Sequence, residues 1–436
     1  MDFYSKPIPK PIDRRTRIDM TAFYICQGHP ISAVVEILKR EHGITDISRD
    51  TPYQDLAMAT SWGWLTYNPS AELDLTNRLR ERYPNLSEVH VPSAGERMTT
   101  VTEAAQMVCR IVETTARKRA REQAIDWELK DKAEVEPLSG PRSKGATSVS
   151  RDDPNPEPMI VNVKMGFSGG RMMQILSMEL KLRLSRMVED LERELKEEVF
   201  DAKQKAGQGD EVQEKSSLFR RRFRVMLRLT VTNLVSGFDI RPQTNPISFL
   251  TLMLNEEPLR SRSTFKCFNS SPFVEIGKRS VALEAATELR KFFTEKGLDI
   301  VLTGAGSIDD VHSTFSRYYQ TDGEKRNLLK SKGVKGDLLW LPIMDKEPFE
   351  FGSLRGEQKK TLHYRPMTLI DLHEVASHIR DRDGKVVLVL GPCGRCHMEK
   401  SQVLRAVLDQ EAPIVTHLVV DRHSAKATLD SPEEGS

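Results

Sequence analysis

The chain has 436 residues, 38% hydrophobic and 29% charged, with a formal net charge of +2 at pH 7. That length predicts two or three domains with a real core, and the near-neutral balance excludes a global field drawing the chain onto nucleic acid or membrane. Five scattered cysteines make no disulfide framework, no apolar run approaches the ~18 residues of a membrane span, and MDFYSKPIPKPIDRR is no secretory signal; a reducing cytoplasm is expected.

Residues 1–17 are proline-rich and basic, and read as a disordered tail or, alternatively, an arm along DNA phosphate. Residues 18–67 predict three short helices. The first spans Ile18–Gln27 and is stopped by Gly28, His29 and Pro30. The second spans Ile31–Glu41 and is stopped by Gly43. Ser48 or Asp50 caps the third, with Pro52 in its first turn, and it runs to about Ser61. A turn into a short strand, Trp62–Tyr67, follows. Helix, turn, helix and strand is the layout of a helix-turn-helix unit, which sets the start of its second paired helix in the major groove. Here that start carries Arg49, Thr51, Tyr53 and Gln54. Arginine can read guanine and glutamine adenine, each through two base-edge groups. Against DNA stands the balance of eight Lys/Arg and eight Asp/Glu over residues 1–68, which suits a plain helical subdomain equally well.

Residues 69–92 read as a connector, with a leucine-bearing helix and a strand at Glu88–Pro92. An amphipathic helix covers about 100–122 and ends in a basic run, Ala116–Arg121, which is either a solvated face or a phosphate contact. Residues 125–158 lose periodicity and read as an insertion, as does a charged stretch at about 192–220.

From Met159 onward the pattern strand, glycine-bearing loop, helix recurs. Met159–Met165 feeds Gly166–Arg171; Asp299–Leu302 feeds Gly304–Gly306; Val386–Leu390 feeds Gly391–Lys400. Arg224–Val231, Thr264–Phe268, Lys335–Met344 and Ile414–Val420 are further strands. Helices start at Asn245 with Pro246 and over Thr368–Arg380. Three such loops in the same relative place predict convergence at the carboxyl edge of a parallel sheet, where backbone N–H groups receive anions. Ser168, Gly169, Gly170, Arg171, Asn245, Gly304, Gly306, Asp309 and Lys400 are the candidate ligand residues. The bland alternatives are a plain strand-to-helix turn for the first loop, a helix cap for Asp309 and an exposed surface position for Lys400. An enzyme on the same sheet would use Asp309, Asp310 and His312 for proton transfer.

Cys393, Cys396 and His397 formally match a c-type haem attachment motif, but no axial ligand or haem pocket supports it. A tetrahedral zinc site wants four ligands; no second cysteine pair exists, and His417 and His423 are unplaced. No metal or cofactor is expected.

Taken in order, several stretches resemble the SorC/DeoR-type bacterial transcriptional regulators. They are GVKGDLLWLPIMD (333–345), RPMTLIDLHEVA (365–376), KVVLVLGPCGRCHMEKSQVLRAVL (385–408) and IVTHLVVDRHSAKATL (414–429). TGAGSIDD (303–310), MGFSGGRM (165–172) and AMATSWGWLTYNPSAELDLTNRLRERYPNLSEVHVP (57–92) add to the series. The resemblance implies an α/β protein with a Rossmann-like, sugar-phosphate isomerase-like effector domain over 93–436 and an N-terminal helix-turn-helix domain over 1–68. It further implies operator DNA and a phosphorylated sugar as partners, no enzymatic activity and a homodimer or homotetramer. Departures fall at the site itself. Arg171 and Met172 replace threonines, and Gly391, Pro392, Cys393 and Gly394 replace a glycine pair, with a longer run to the lysine.

Overall fold

The computed structural model describes residues 13–26, 31–44, 47–48, 51–61, 73–92, 97–135, 158–206, 224–236, 245–247, 251, 255, 257–284, 286–287, 289–291, 297–313, 323–393 and 395–431. The chain divides into two compact units, Met1–Pro69 and Ser70–Ser436.

The first unit holds α1 (Arg14–Cys26), α2 (Ile31–His42) and α3 (Thr51–Ser61). Gly43 turns the chain out of α2 with φ +67°, the left-handed stop expected of it. Val34, Val35, Leu38 and Ile47 form one small core, and Ile18, Ala22 and Ala59 another. Helix α3 is tied to α1 by a charged clamp. Arg17 donates from Nε and one terminal nitrogen to the two Asp55 oxygens, both at 2.9 Å, and Asp55 is 1% exposed. The Thr21 hydroxyl adds a third bond to that carboxylate at 3.3 Å. The turn-and-strand expected at Trp62–Tyr67 lies outside the described residues.

The second unit is a three-layer α/β structure around a parallel sheet, as expected. Its strands are β1 (Glu88–His90), β2 (Met159–Phe167), β3 (Val225–Asn233), β4 (Ser263–Lys266), β6 (Ile300–Thr303), β11 (Lys385–Leu390) and β12 (His417–Val420). They lie in the order β1-β12-β11-β6-β2-β3-β4, every pairing parallel. Strand alternation sorts the side chains between two cores. Ile300, Leu302, Val387, Val389 and Val419 face one way, onto α5 (Arg97–Val135) and α6 (Arg171–Ala206). Val301, Val386, Leu388, Leu390, Leu418 and Val420 face the other, onto α4 (Leu73–Arg82) and the helices Leu372–Arg382, Ser401–Leu408 and Arg422–Asp430. Two smaller sheets pair β5 (Phe273–Glu275) with β10 (Tyr364–Pro366), and β7 (Ala305–Ser307) with β8 (Gly336–Leu338) and β9 (Leu341–Ile343).

Four expectations need revision. Residues 69–92 are more than a connector: they give β1 to the sheet edge and α4 to its face. The stretch from 192 onward does not begin an insertion, because α6 continues to Ala206 and buries Leu195 and Val199 in the core. The basic run at the end of the 100–122 stretch is a solvated face only in part, at the exposed Lys118 and Arg121. Arg117 pairs with Glu113, Glu194 and Glu198, and Arg119 with Asp299 and the Asn162 carbonyl, so the charges join α5 to α6 and to the sheet. The stretch 335–344, read as one strand, is a hairpin. Leu339 and Trp340 hold left-handed φ values of 54° and 64° between β8 and β9, and the Trp340 N–H donates to Asp337 Oδ2 at 3.1 Å. Without glycine or asparagine at the turn, no turn signal was present.

Candidate functional site

Sheet order locates the site. From β2 the chain winds outward through β3 and β4, then returns to place β6 on the other side of β2 and proceeds to β11 and β12. The strand order therefore reverses between β2 and β6, where open α/β sheets leave a crevice at their carboxyl ends. The Ser168 N–H bonds the Leu302 carbonyl at 2.9 Å across that gap. Gly170, at φ +108°, then turns the chain into α6 at Arg171. The three glycine loops converge there. A side chain on Gly304 would contact the Val389 carbonyl at 3.4 Å and Met172 Cβ at 3.8 Å, and one on Gly391 would meet Met172 Cε at 2.6 Å.

Charged groups gather at this edge. Lys400 caps the helix Ser401–Leu408; its own N–H bonds Ser424 Oγ at 3.0 Å and its ammonium donates to the Ala305 carbonyl of β7 at 2.9 Å. Burial pushes the ammonium below the usual lysine range, while the nearby Asp310 and Asp337 hold it up. Asp337, 5% exposed, is raised to about 7 by burial, with Lys400 pulling the other way. Gly306 has no side chain because a Cβ there would overlap Asp337 Oδ1. Asp310, 3% exposed, accepts from the His312 N–H at 2.8 Å and faces Cys396 Sγ at 3.7 Å. From the start of α5, Arg97 stands beside Arg171, Cys393 and Asp310; burial and the Arg171 charge lower its pKa. Its Nε is buried with no hydrogen-bond partner among the described residues. A buried guanidinium donor left open beside a second arginine and a helix start suits an anion.

Of the residues singled out from sequence, Ser168, Gly169, Gly170, Arg171, Gly304, Gly306 and Lys400 lie along this edge. Ser168 is 1% exposed, and its hydroxyl is 3.3 Å from the Gly169 carbonyl. Asn245 does local work: its side-chain oxygen accepts from the Ile247 N–H at 2.9 Å. Asp309 pairs with Lys330 and lies 3.7 Å from Arg326, so the carboxylate in the cluster is that of its neighbour, Asp310. Arg97 and Asp337 were missed, and Asp310 was singled out only for proton transfer in the enzyme reading. Arg97 precedes an ordinary amphipathic helix and belongs to no motif; the Gly336 and Asp337 pair was visible only as the opening of a strand. In the first unit Tyr53 is 60% exposed and Gln54 is exposed on the first turns of α3. Thr51 accepts from the Ser48 N–H at 2.9 Å as part of the helix start. Arg49 lies outside the described residues.

No family model and no curated protein matches the chain. Among solved structures, it is similar to the full-length sorbitol operon regulator SorC from Klebsiella pneumoniae, at 14% identity and TM-score 0.43, over 95% of this chain and 99% of that one. It is also similar to a putative sugar-binding domain of a transcriptional repressor from Vibrio fischeri, at 11% identity and TM-score 0.45, over 82% and 98%. A DeoR family transcriptional regulator from Listeria monocytogenes matches at 14% identity and TM-score 0.42, over 82% and 98%. No described helix is long and apolar enough to cross a membrane.

Proposed function

We propose that the chain is a cytoplasmic, non-enzymatic transcriptional regulator. Met1–Pro69 binds operator DNA, and Ser70–Ser436 binds a phosphorylated sugar or related anionic metabolite at the carboxyl edge of the sheet. The observation that carries the ligand assignment is the open Arg97 Nε, held with Arg171, Lys400 and the start of α6 at the switch between β2 and β6. Ser168, Gly169, Gly170, Gly304 and Gly306 shape the cradle, and Asp310 and Asp337 set the charge around Lys400. The ordered series of sequence stretches resembling SorC/DeoR-type regulators gives the class of ligand. For DNA, the exposed Tyr53 and Gln54 at the start of α3, with Arg49 just before it, supply the side chains a recognition helix needs. A homodimer or homotetramer would present paired helices to a two-fold operator.

The test is fluorescence anisotropy of the full chain on DNA from upstream of its own gene, at two salt concentrations, with and without a panel of sugar phosphates. Specific binding that weakens with salt and shifts with one phosphorylated sugar is expected. Affinity no different from that for scrambled DNA overturns the DNA assignment. Turnover of a sugar phosphate without DNA overturns the non-enzymatic one.

A further inference from the structure

The cysteine pair of the β11 loop remains unused by this reading. Cys393 is buried and Cys396 exposed, and together with the buried Asp310 they offer two sulfurs and a carboxylate oxygen all within 4.8 Å of one another. In tetrahedral coordination, bonds of ~2.3 Å to sulfur and ~2.0 Å to oxygen put those atoms roughly 3.5 Å apart. Cys396 Sγ and Asp310 Oδ1 already stand 3.7 Å apart. From the sequence, the pair lacked partners; the fold brings Asp310 from the end of β7 against it.

The loop backbone closes around the first cysteine. The N–H groups of Cys396 and Arg395 point at the Cys393 sulfur. The His397 N–H bonds the Cys393 carbonyl at 2.9 Å, His397 takes a left-handed φ of 53°, and the Cys393 N–H returns to the Met398 carbonyl at 3.1 Å. The turn folds back on its first cysteine and aims amides at the sulfur. Charge also fits: two thiolates, one carboxylate and a divalent ion leave one net negative charge, and the Lys400 ammonium stands beside both Cys393 and Asp310.

We propose that Cys393, Cys396 and Asp310 form a binding site for a thiophilic divalent cation of the zinc class. The fourth position belongs to water or to an anionic ligand. Binding displaces the two thiol protons and moves no electrons. The site does not depend on the regulator reading, since its test involves neither DNA nor sugar.

The experiment uses the full chain, reduced and stripped with a chelator under anaerobic conditions, and titrated with Co(II). One equivalent is expected to give a thiolate-to-cobalt charge-transfer band in the near ultraviolet with tetrahedral visible bands, both abolished by Zn(II). Cys393→Ser with Cys396→Ser removes the charge-transfer band. Asp310→Asn keeps it but weakens affinity by more than the roughly 10–100-fold that loss of a mere supporting partner costs. Alkylation mapped by mass spectrometry on the unmodified chain needs no variant to fold: zinc should protect Cys393 and Cys396 but not the exposed Cys267. No charge-transfer band in the native chain, the same band in the double serine variant, or alkylation of Cys393 and Cys396 indifferent to zinc would each overturn the proposal. So would a disulfide between the two that persists in reductant.

Discussion

The two edges of the same sheet treat charge in opposite ways. At the amino edge, Asp299 accepts from the Lys164 N–H at 2.7 Å and from Arg119, and Lys385 pairs with Asp383 at 2.5 Å. At the carboxyl edge, Arg97 keeps an open donor, Lys400 is held on a single carbonyl bond with carboxylates nearby, and Asp337 sits near neutrality. Both edges bury charge; among the described residues it is the carboxyl edge that leaves a guanidinium donor open. The first pattern holds strands and helices in place; the second is what a ligand would complete.

Substitutions should separate these two uses of charge. The largest effect is expected at the closed edge. Asp299→Ala strands Arg119 and the Lys164 amide and should destabilise the second unit by about 3 kcal/mol in urea unfolding; a loss under ~1 kcal/mol would erase the contrast between the edges. Arg97→Met at the open edge should leave unfolding nearly unchanged. It should weaken sugar-phosphate binding roughly tenfold or more, as loss of a charged hydrogen bond of ~1.5–3 kcal/mol does, and calorimetry reads it directly. Asp337→Asn should act through pH. Burial raises the Asp337 pKa to about 7 in the fold, above its ordinary value of 3.8, so its contribution to stability is full below that ordinary value and has been lost once pH passes 7. Unfolding free energy should therefore fall between about pH 4 and 7 in the native chain, level off above 7, and fall less in the variant. The smallest structural effect belongs to the first unit. Tyr53→Ala and Gln54→Ala should change stability by no more than about 0.5 kcal/mol while abolishing specific DNA binding in the anisotropy assay; operator affinity unchanged in both would remove α3 from the DNA interface.

The sheet was legible because its strands are apolar runs and its loops carry glycine. Val386–Leu390 buries on both faces and reads as a central parallel strand without any other information. The helix from Arg171 was legible at its start but not in its length. Its outer residues are so charged that the buried line Leu191, Leu195, Val199 is hidden in composition and shows only as spacing. The site was legible where backbone geometry demands glycine and opaque where only tertiary approach matters. Nothing local distinguishes Asp309 from Asp310; one residue of register along the loop sends the first to Lys330 and the second to Cys396. Arg97 becomes significant only once β1 is placed in the sheet, because that places the start of α5 at the same edge as α6.

That placement of β1 also sets an order of events in time. Glu88–His90 pairs with His417–Val420, and Arg82 bonds the carbonyl of Leu429, 347 residues further on. During synthesis, α4 and β1 therefore emerge early and wait for their partner until nearly the whole chain has been made, while α1, α2 and α3 find theirs among near neighbours. Long-range parallel pairing of this kind folds slowly and leaves an unpaired edge exposed meanwhile. A chain cut short before residue 417 would lose the strand between β1 and β11, and with it the link that carries the start of α5, and so Arg97, to the pocket.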